Sequence, residues 1–135
     1  MIRSPHPHAD IVSIDIRAAL EKDGVWAVIT GAEIKKISDP FLVALKSPIH
    51  QWSLAVDRVR FVGEPVALVV AENRYLAEDA AELVQIEYAP LEAVVDPLAA
   101  CKPNAPILHG GAQGSCRVRL NEGNRQKTKC KLSIS

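Results

Sequence analysis

The block VRFVGEPVALVVAENRYLAEDAAELVQIEY, residues 59–88, admits few folds. Its apolar run from Val66 to Ala71 is rich in β-branched residues and fits a buried strand. Asn73 follows where a helix N-cap belongs. Leu76, Ala80, Leu83 and Val84 then recur at i, i+4, i+7 and i+8, which is one apolar stripe on a helix. Ile86 and Tyr88 alternate with Gln85 and Glu87, the period of a strand with one buried face. Ahead of the buried strand, VRFV reads as a strand of its own. Gly63-Glu64-Pro65 turns or bulges the chain between them, because glycine permits an unusual φ and proline fixes the next one.

A second strand–helix–strand pattern lies upstream. ADIVSID, residues 9–15, begins a pattern in which Ile11, Val12, Ile14 and Ile16 suggest a strand with one strongly buried face. Asp15 is positioned to cap a short helix over IRAALEK, and Gly24 to end it. VWAVIT, residues 25–30, is a buried strand. Residues 31–58, broken by Pro40 and Pro48, form an irregular excursion with room for one short helix. Pro90 and Pro97 punctuate LEAVVDPLAA, which reads as a short strand and then a turn or helical stub.

The chain has 135 residues, enough for one domain with a real core, and no window approaches the length of an apolar membrane span. Sixteen basic and sixteen acidic residues cancel, but unevenly. Residues 1–113 carry 10 Lys/Arg against 15 Asp/Glu, whereas residues 114–135 carry 6 against Glu122 alone. That basic segment lacks a sustained helix or strand pattern and aromatic partners for bases, so a disordered, solvated tail is expected and nucleic acid is not. Cys101, Cys116 and Cys130 form no CxxC pair, which leaves no zinc knuckle or disulfide framework. With no apolar signal core at the N-terminus, a cytoplasmic location is expected.

Few residues invite a chemical reading. His6 and His8 share one side of an extended segment, but only His50 and His109 remain as further histidine ligands, in unrelated contexts. Glu78, Asp79 and Glu82 fall on the polar face of their helix and read as a solvated surface. HGGAQG, residues 109–114, has no flanking strand and helix to aim its amides at a phosphate. Cys101 has no nearby histidine base. Glu64 is the remaining candidate acid or base, and a general base needs a positioned substrate proton and usually burial.

RSPHPHADIVSIDIRAALEKDGVWAVITGAEI, then DRVRFVGEPVALVVAENRYLAEDAAELVQIEYAPLEAVVDPLAA, then APILHG together resemble the α/β-hammerhead domain of the molybdenum hydroxylases. That family comprises aldehyde oxidases, xanthine dehydrogenases and carbon monoxide dehydrogenases, and the resemblance covers roughly residues 2–110 of its large, molybdopterin-binding subunit. It implies an α+β fold, two strand–helix–strand units on a mixed sheet, with a hammerhead domain over residues 1–112 and a tail over 113–135 unlike the family. It implies an oxidoreductase that uses molybdenum–molybdopterin, with [2Fe–2S] clusters and FAD in other domains or subunits, none of them expected in this chain alone. The family's catalytic glutamate also sits in a VGE string near the far C-terminus. Here Val62-Gly63-Glu64 has the flanks of the hammerhead position, so the resemblance carries no catalytic, cofactor-binding or metal residue onto this sequence.

Two departures from the family shape the functional expectation. The family usually has a few tens of residues, including a strand, before RSP, and this sequence turns basic after LHG. A frameshift near residues 110–115 would produce such a change of composition. The chain is therefore expected to be a truncated large subunit, inert by itself, with a free-standing binding or assembly module as the alternative. Its expected partners are iron–sulfur and FAD subunits or the remaining large-subunit domains, with self-association through an uncovered sheet edge.

Overall fold

The computed structural model describes residues 1–41, 50–100, 102 and 104–109, which leaves the basic segment, all three cysteines and Pro48 outside the described residues. The described residues form six strands and four helices. The strands are β1 (Ile2–Arg3), β2 (Ala9–Asp15), β3 (Val25–Thr30), β4 (Arg58–Val59), β5 (Pro65–Ala71) and β6 (Gln85–Pro90). The helices are α1 (Arg17–Leu20), α2 (Gly31–Ile37), α3 (Arg74–Leu83) and α4 (Pro97–Ala100).

The two strand–helix–strand units are present, in an α+β arrangement. Their strands do not share one mixed sheet, however. They form two three-stranded sheets, ordered β1-β5-β3 and β4-β2-β6, in which every pairing is antiparallel. β2 of the first unit pairs with β6 of the second, and β3 of the first with β5 of the second. A length argument explains the exchange. β2 has seven residues and rises about 3.3 Å per residue, while the four-residue α1 rises only about 1.5 Å per residue. Such a helix cannot return the chain to the start of β2 for a parallel neighbour, which needs a longer crossover. β3 therefore finds its partner in the other unit.

β5 ties the two cores together. Val66 and Val69, an odd number of residues apart, point to opposite faces of the strand. Val66 is fully buried with Ala9, Ala55 and Val59, against Ile11, Ile14, Ile86 and Tyr88. Val69 packs with Ala19, Val28 and Ala80, against Ile2, Ile16, Val25 and Val84. The largest fully buried side chains are only valines, so close approach of backbones does much of the packing. Gly31 illustrates this: a Cβ there would stand 2.1 Å from the Ala55 carbonyl oxygen.

Of the caps expected from the sequence, the one on α3 forms as read. The Asn73 side chain accepts the Leu76 N–H at 3.0 Å at the start of α3. Gly24 does not cap α1, which stops at Leu20 with Glu21 as its C-cap; with φ +80 it serves the turn that leads into β3. The N-cap position of α1 is Ile16 and not Asp15, one residue earlier, whose carboxylate accepts the Arg17 N–H at 3.0 Å and grips the Arg17 guanidinium, which lowers its pKa to about 2. The short helix left room for in residues 31–58 is α2, fixed by Glu33, whose carboxylate accepts both the N–H and the hydroxyl of Thr30 at 2.6 Å. These hydrogen bonds hold the Glu33 pKa below its ordinary value.

Three further details differ from expectation. The strand expected over VRFV stops at Val59, and residues 61–63 bend and turn. Residues 91–96 form no strand, and the chain passes directly to α4, whose first amides are capped by the Asp96 carboxylate. The stripe on α3 is rotated: Ala77, Ala80, Ala81 and Val84 pack inward, while Leu83 is exposed.

Candidate functional site

Glu64 sits where a turn meets β5, and the chain closes around it. The Glu64 carboxylate accepts the backbone N–H of Arg60, and its second oxygen lies 3.8 Å from Arg60 Nη1. Backbone bonds from Ser4 N–H to the Glu64 carbonyl (2.9 Å) and from Gly63 N–H to the Ser4 carbonyl (2.8 Å) pin the same turn to the N-terminal segment. Gly63 supplies the left-handed φ of +87 that the turn needs, and the Arg3 guanidinium donates to its carbonyl at 2.7 Å. The Glu64 side chain is only 13% exposed. Its carboxylate thus helps hold this loop through the Arg60 N–H and guanidinium.

Beside the turn lies a cavity of about 300 Å³. Trp52 and Phe61 supply aromatic surface to it, while Asp57, Arg60, Glu64 and His109 supply polar groups. Arg60 is held from several sides: Nε donates to the Leu108 carbonyl and Nη1 to the Arg58 carbonyl, both at 3.0 Å. Burial and the neighbouring Arg60 charge lower the pKa of His109, which keeps the imidazole neutral at neutral pH. Sequence reasoning weighed Glu64, His50 and His109 separately and did not unite them. Only the closing of the chain brings residues 50–64 and 108–109 together, and no local pattern announces it.

The histidine pair separates. His8 is buried at 3% exposure and bonds through Nδ1 to the Glu92 carbonyl at 2.7 Å, with no hydrogen-bond partner at Nε2 among the described residues. His6 instead stands over the ring of Tyr88, with centroids 5.0 Å apart. The Tyr88 hydroxyl is likewise buried, with the Ser4 side chain nearby, and burial raises its pKa.

Glu78 and Asp79 on α3 are exposed and engaged locally, with Arg74 at 2.7 Å and Lys22 at 2.9 Å, and Glu82 is exposed on the same helix. No three of His, Cys, Asp and Glu among the described residues are placed to hold a metal ion. Cys101 and all but the first residue of HGGAQG lie outside the described residues. No described helix is long and apolar enough to cross a membrane.

Residues 1–92 match the family described as aldehyde oxidase and xanthine dehydrogenase, a/b hammerhead domain. The carbon monoxide dehydrogenase large chain of Afipia carboxidovorans is 44% identical over 107 residues, which are 79% of this chain and 13% of that one. The xanthine dehydrogenase molybdenum-binding subunit of Escherichia coli O157:H7 is 34% identical over 139 residues, covering 94% of this chain and 18% of that one. Among solved structures, quinoline 2-oxidoreductase from Pseudomonas putida 86 superposes with a TM-score of 0.69 at 44% identity, over 73% of this chain and 13% of that one. The chain thus spans between an eighth and a fifth of the length of these relatives. Through its α/β-hammerhead domain, this chain belongs to the aldehyde oxidase and xanthine dehydrogenase family.

Proposed function

We propose that residues 1–112 act as the hammerhead portion of a molybdenum hydroxylase large subunit, a docking scaffold that does no chemistry of its own. The observation that carries this reading is the match of residues 1–92 to the hammerhead domain of that family. The bond from the Arg60 N–H to the Glu64 carboxylate supports a structural part for this glutamate. No three of His, Cys, Asp and Glu among the described residues are grouped to hold a metal ion, which is in keeping with this reading. Molybdenum, iron–sulfur and flavin chemistry is accordingly assigned to the remaining large-subunit domains and to partner subunits. A reducing cytoplasm is the compartment proposed for it, since three cysteines without a CxxC pair suit that setting.

A domain graft tests the reading. Residues 1–109 of this chain would replace the matched segment in the carbon monoxide dehydrogenase large chain of Afipia carboxidovorans, to which the chain is 44% identical. The graft is expected to assemble, to retain the host's molybdenum content and to oxidise carbon monoxide. Carbon monoxide or aldehyde oxidation by the isolated 135-residue chain would overturn the proposal, as would a folded graft that assembles but has lost its metal.

A further inference from the structure

The cavity beside the Glu64 turn has an imbalance that its neighbours do not resolve. Its aromatic surface comes from Trp52 and Phe61, and Phe61 is half exposed. The Arg60 charge is offset by Glu64, and its guanidinium is anchored through Nε and Nη1 to the Leu108 and Arg58 carbonyls. His109 contributes no charge, because burial beside Arg60 keeps it neutral. The exposed Asp57 carboxylate is the charge left over: it makes no hydrogen bond or ion pair among the described residues. A volume of about 300 Å³ sits at the bottom of the range for small-molecule sites and suits one long side chain.

Aromatic faces beside an uncompensated carboxylate select a planar cation. Guanidinium stacks on such rings and gives paired hydrogen bonds to carboxylate, which a compact ammonium does less well. The supply of chain is large, since the matched segment is only 13% of the carbon monoxide dehydrogenase large chain. From these observations we propose that this cavity is a docking socket for an arginine side chain presented by the remainder of the large subunit, held between Trp52 and Phe61 and paired with Asp57. The identity of the donor polypeptide rests on the reading of this chain as a large-subunit portion; the preference for guanidinium rests on the cavity alone.

Two measurements separate those layers. Trp26 and Trp52 are the only tryptophans, and Trp26 is 69% exposed, so Trp26→Phe leaves Trp52 as the sole fluorescent reporter. Titrating that variant with N-acetyl-arginine amide should give a saturable change in Trp52 fluorescence. N-acetyl-lysine amide should bind more weakly, and Asp57→Asn should reduce arginine affinity about ten-fold. Absence of a saturable response, or equal binding by N-acetyl-glutamate, would overturn the socket. In the grafted carbon monoxide dehydrogenase, Asp57→Arg should lower the yield of assembled enzyme several-fold while the isolated chain melts unchanged. A charge-reversed graft that assembles as well as its parent would overturn the large-subunit arginine as occupant. The titration uses the chain alone, so its outcome is independent of whether the graft itself succeeds.

Discussion

The Glu64 carboxylate accepts the backbone N–H of Arg60, and the Arg60 guanidinium faces the same carboxylate at 3.8 Å. A glutamate that looks like a candidate base between glycine and proline is therefore a clasp across a five-residue turn.

The clasp makes a quantitative distinction between structure and catalysis. Glu64 is mostly buried, so removing its carboxylate leaves the Arg60 N–H and guanidinium short of an acceptor. Glu64→Ala should cost about 2 kcal/mol of stability, the worth of a hydrogen bond to a charged group, and Glu64→Gln roughly half that because one acceptor oxygen remains. Urea midpoints of the isolated chain would measure both. In the grafted enzyme, Glu64→Gln should leave kcat unchanged, and a loss of turnover at full molybdenum content would return the residue to catalysis.

Gly31 and Gly63 separate close packing from backbone conformation. A Cβ at Gly31 meets the Ala55 carbonyl oxygen at 2.1 Å and the Val56 Cα at 2.8 Å, both rigid backbone. Gly63 has open space around it but a φ of +87. Gly31→Ala must push apart the segment carrying Ala55 and the start of α2, and should cost about 3 kcal/mol or more, on the scale of severe overpacking. Gly63→Ala should cost only the left-handed penalty, about 1–2 kcal/mol. Denaturation midpoints in the opposite order would show that the turn, and not the Gly31 contact, limits stability.

Periodicity revealed β2, β3, β5, β6 and α3 because each has enough residues to display its pattern. It overextended the strand at VRFV, because the apolar Phe61 and Val62 belong to a turn that Glu64 and Ser4 impose from elsewhere. The α2 capping box was present as Thr30-Gly31-Ala32-Glu33 but hidden by the proline-rich stretch that follows. Sheet membership was not local information at all. Ala9 pairs with Pro90 and Thr30 with Ala67, partners that no short window contains. The cavity was illegible for the same reason, since Arg60 meets Leu108 only after the chain has closed.

One sheet edge should make the isolated chain sticky. β1 pairs with β5 at Ala67 and Pro65, whereas β3 covers the other side of β5 as far as Ala71. The outer edge of β5 over residues 68–71 thus has no strand partner among the described residues, and exposed Met1 lies at the adjoining end of β1. Uncovered edges template further pairing. Sedimentation velocity should show concentration-dependent association of the isolated chain that disappears in the assembled graft. A monomer at every concentration would mean that the edge is already protected.

Acid should weaken the fold in two stages with assignable causes. His109 has a folded pKa below its ordinary 6.5, through burial first and the Arg60 charge second. Below 6.5 the unfolded chain takes up a proton that the folded chain resists, so stability present above that pH falls as pH drops toward the folded value. His109→Gln should remove this first stage. Asp15 is held at about 2 in the fold, mainly by its hydrogen bonds with Arg17, against an ordinary value of 3.8. Its contribution is therefore complete above that ordinary value and is lost as pH falls through the interval down to about 2. Asp15 is open to solvent, so this second stage should be shallow and should shrink further in high salt. Urea midpoints recorded stepwise from neutral to strongly acidic pH would resolve the stages. A first-stage loss that persists in His109→Gln would assign it to another group.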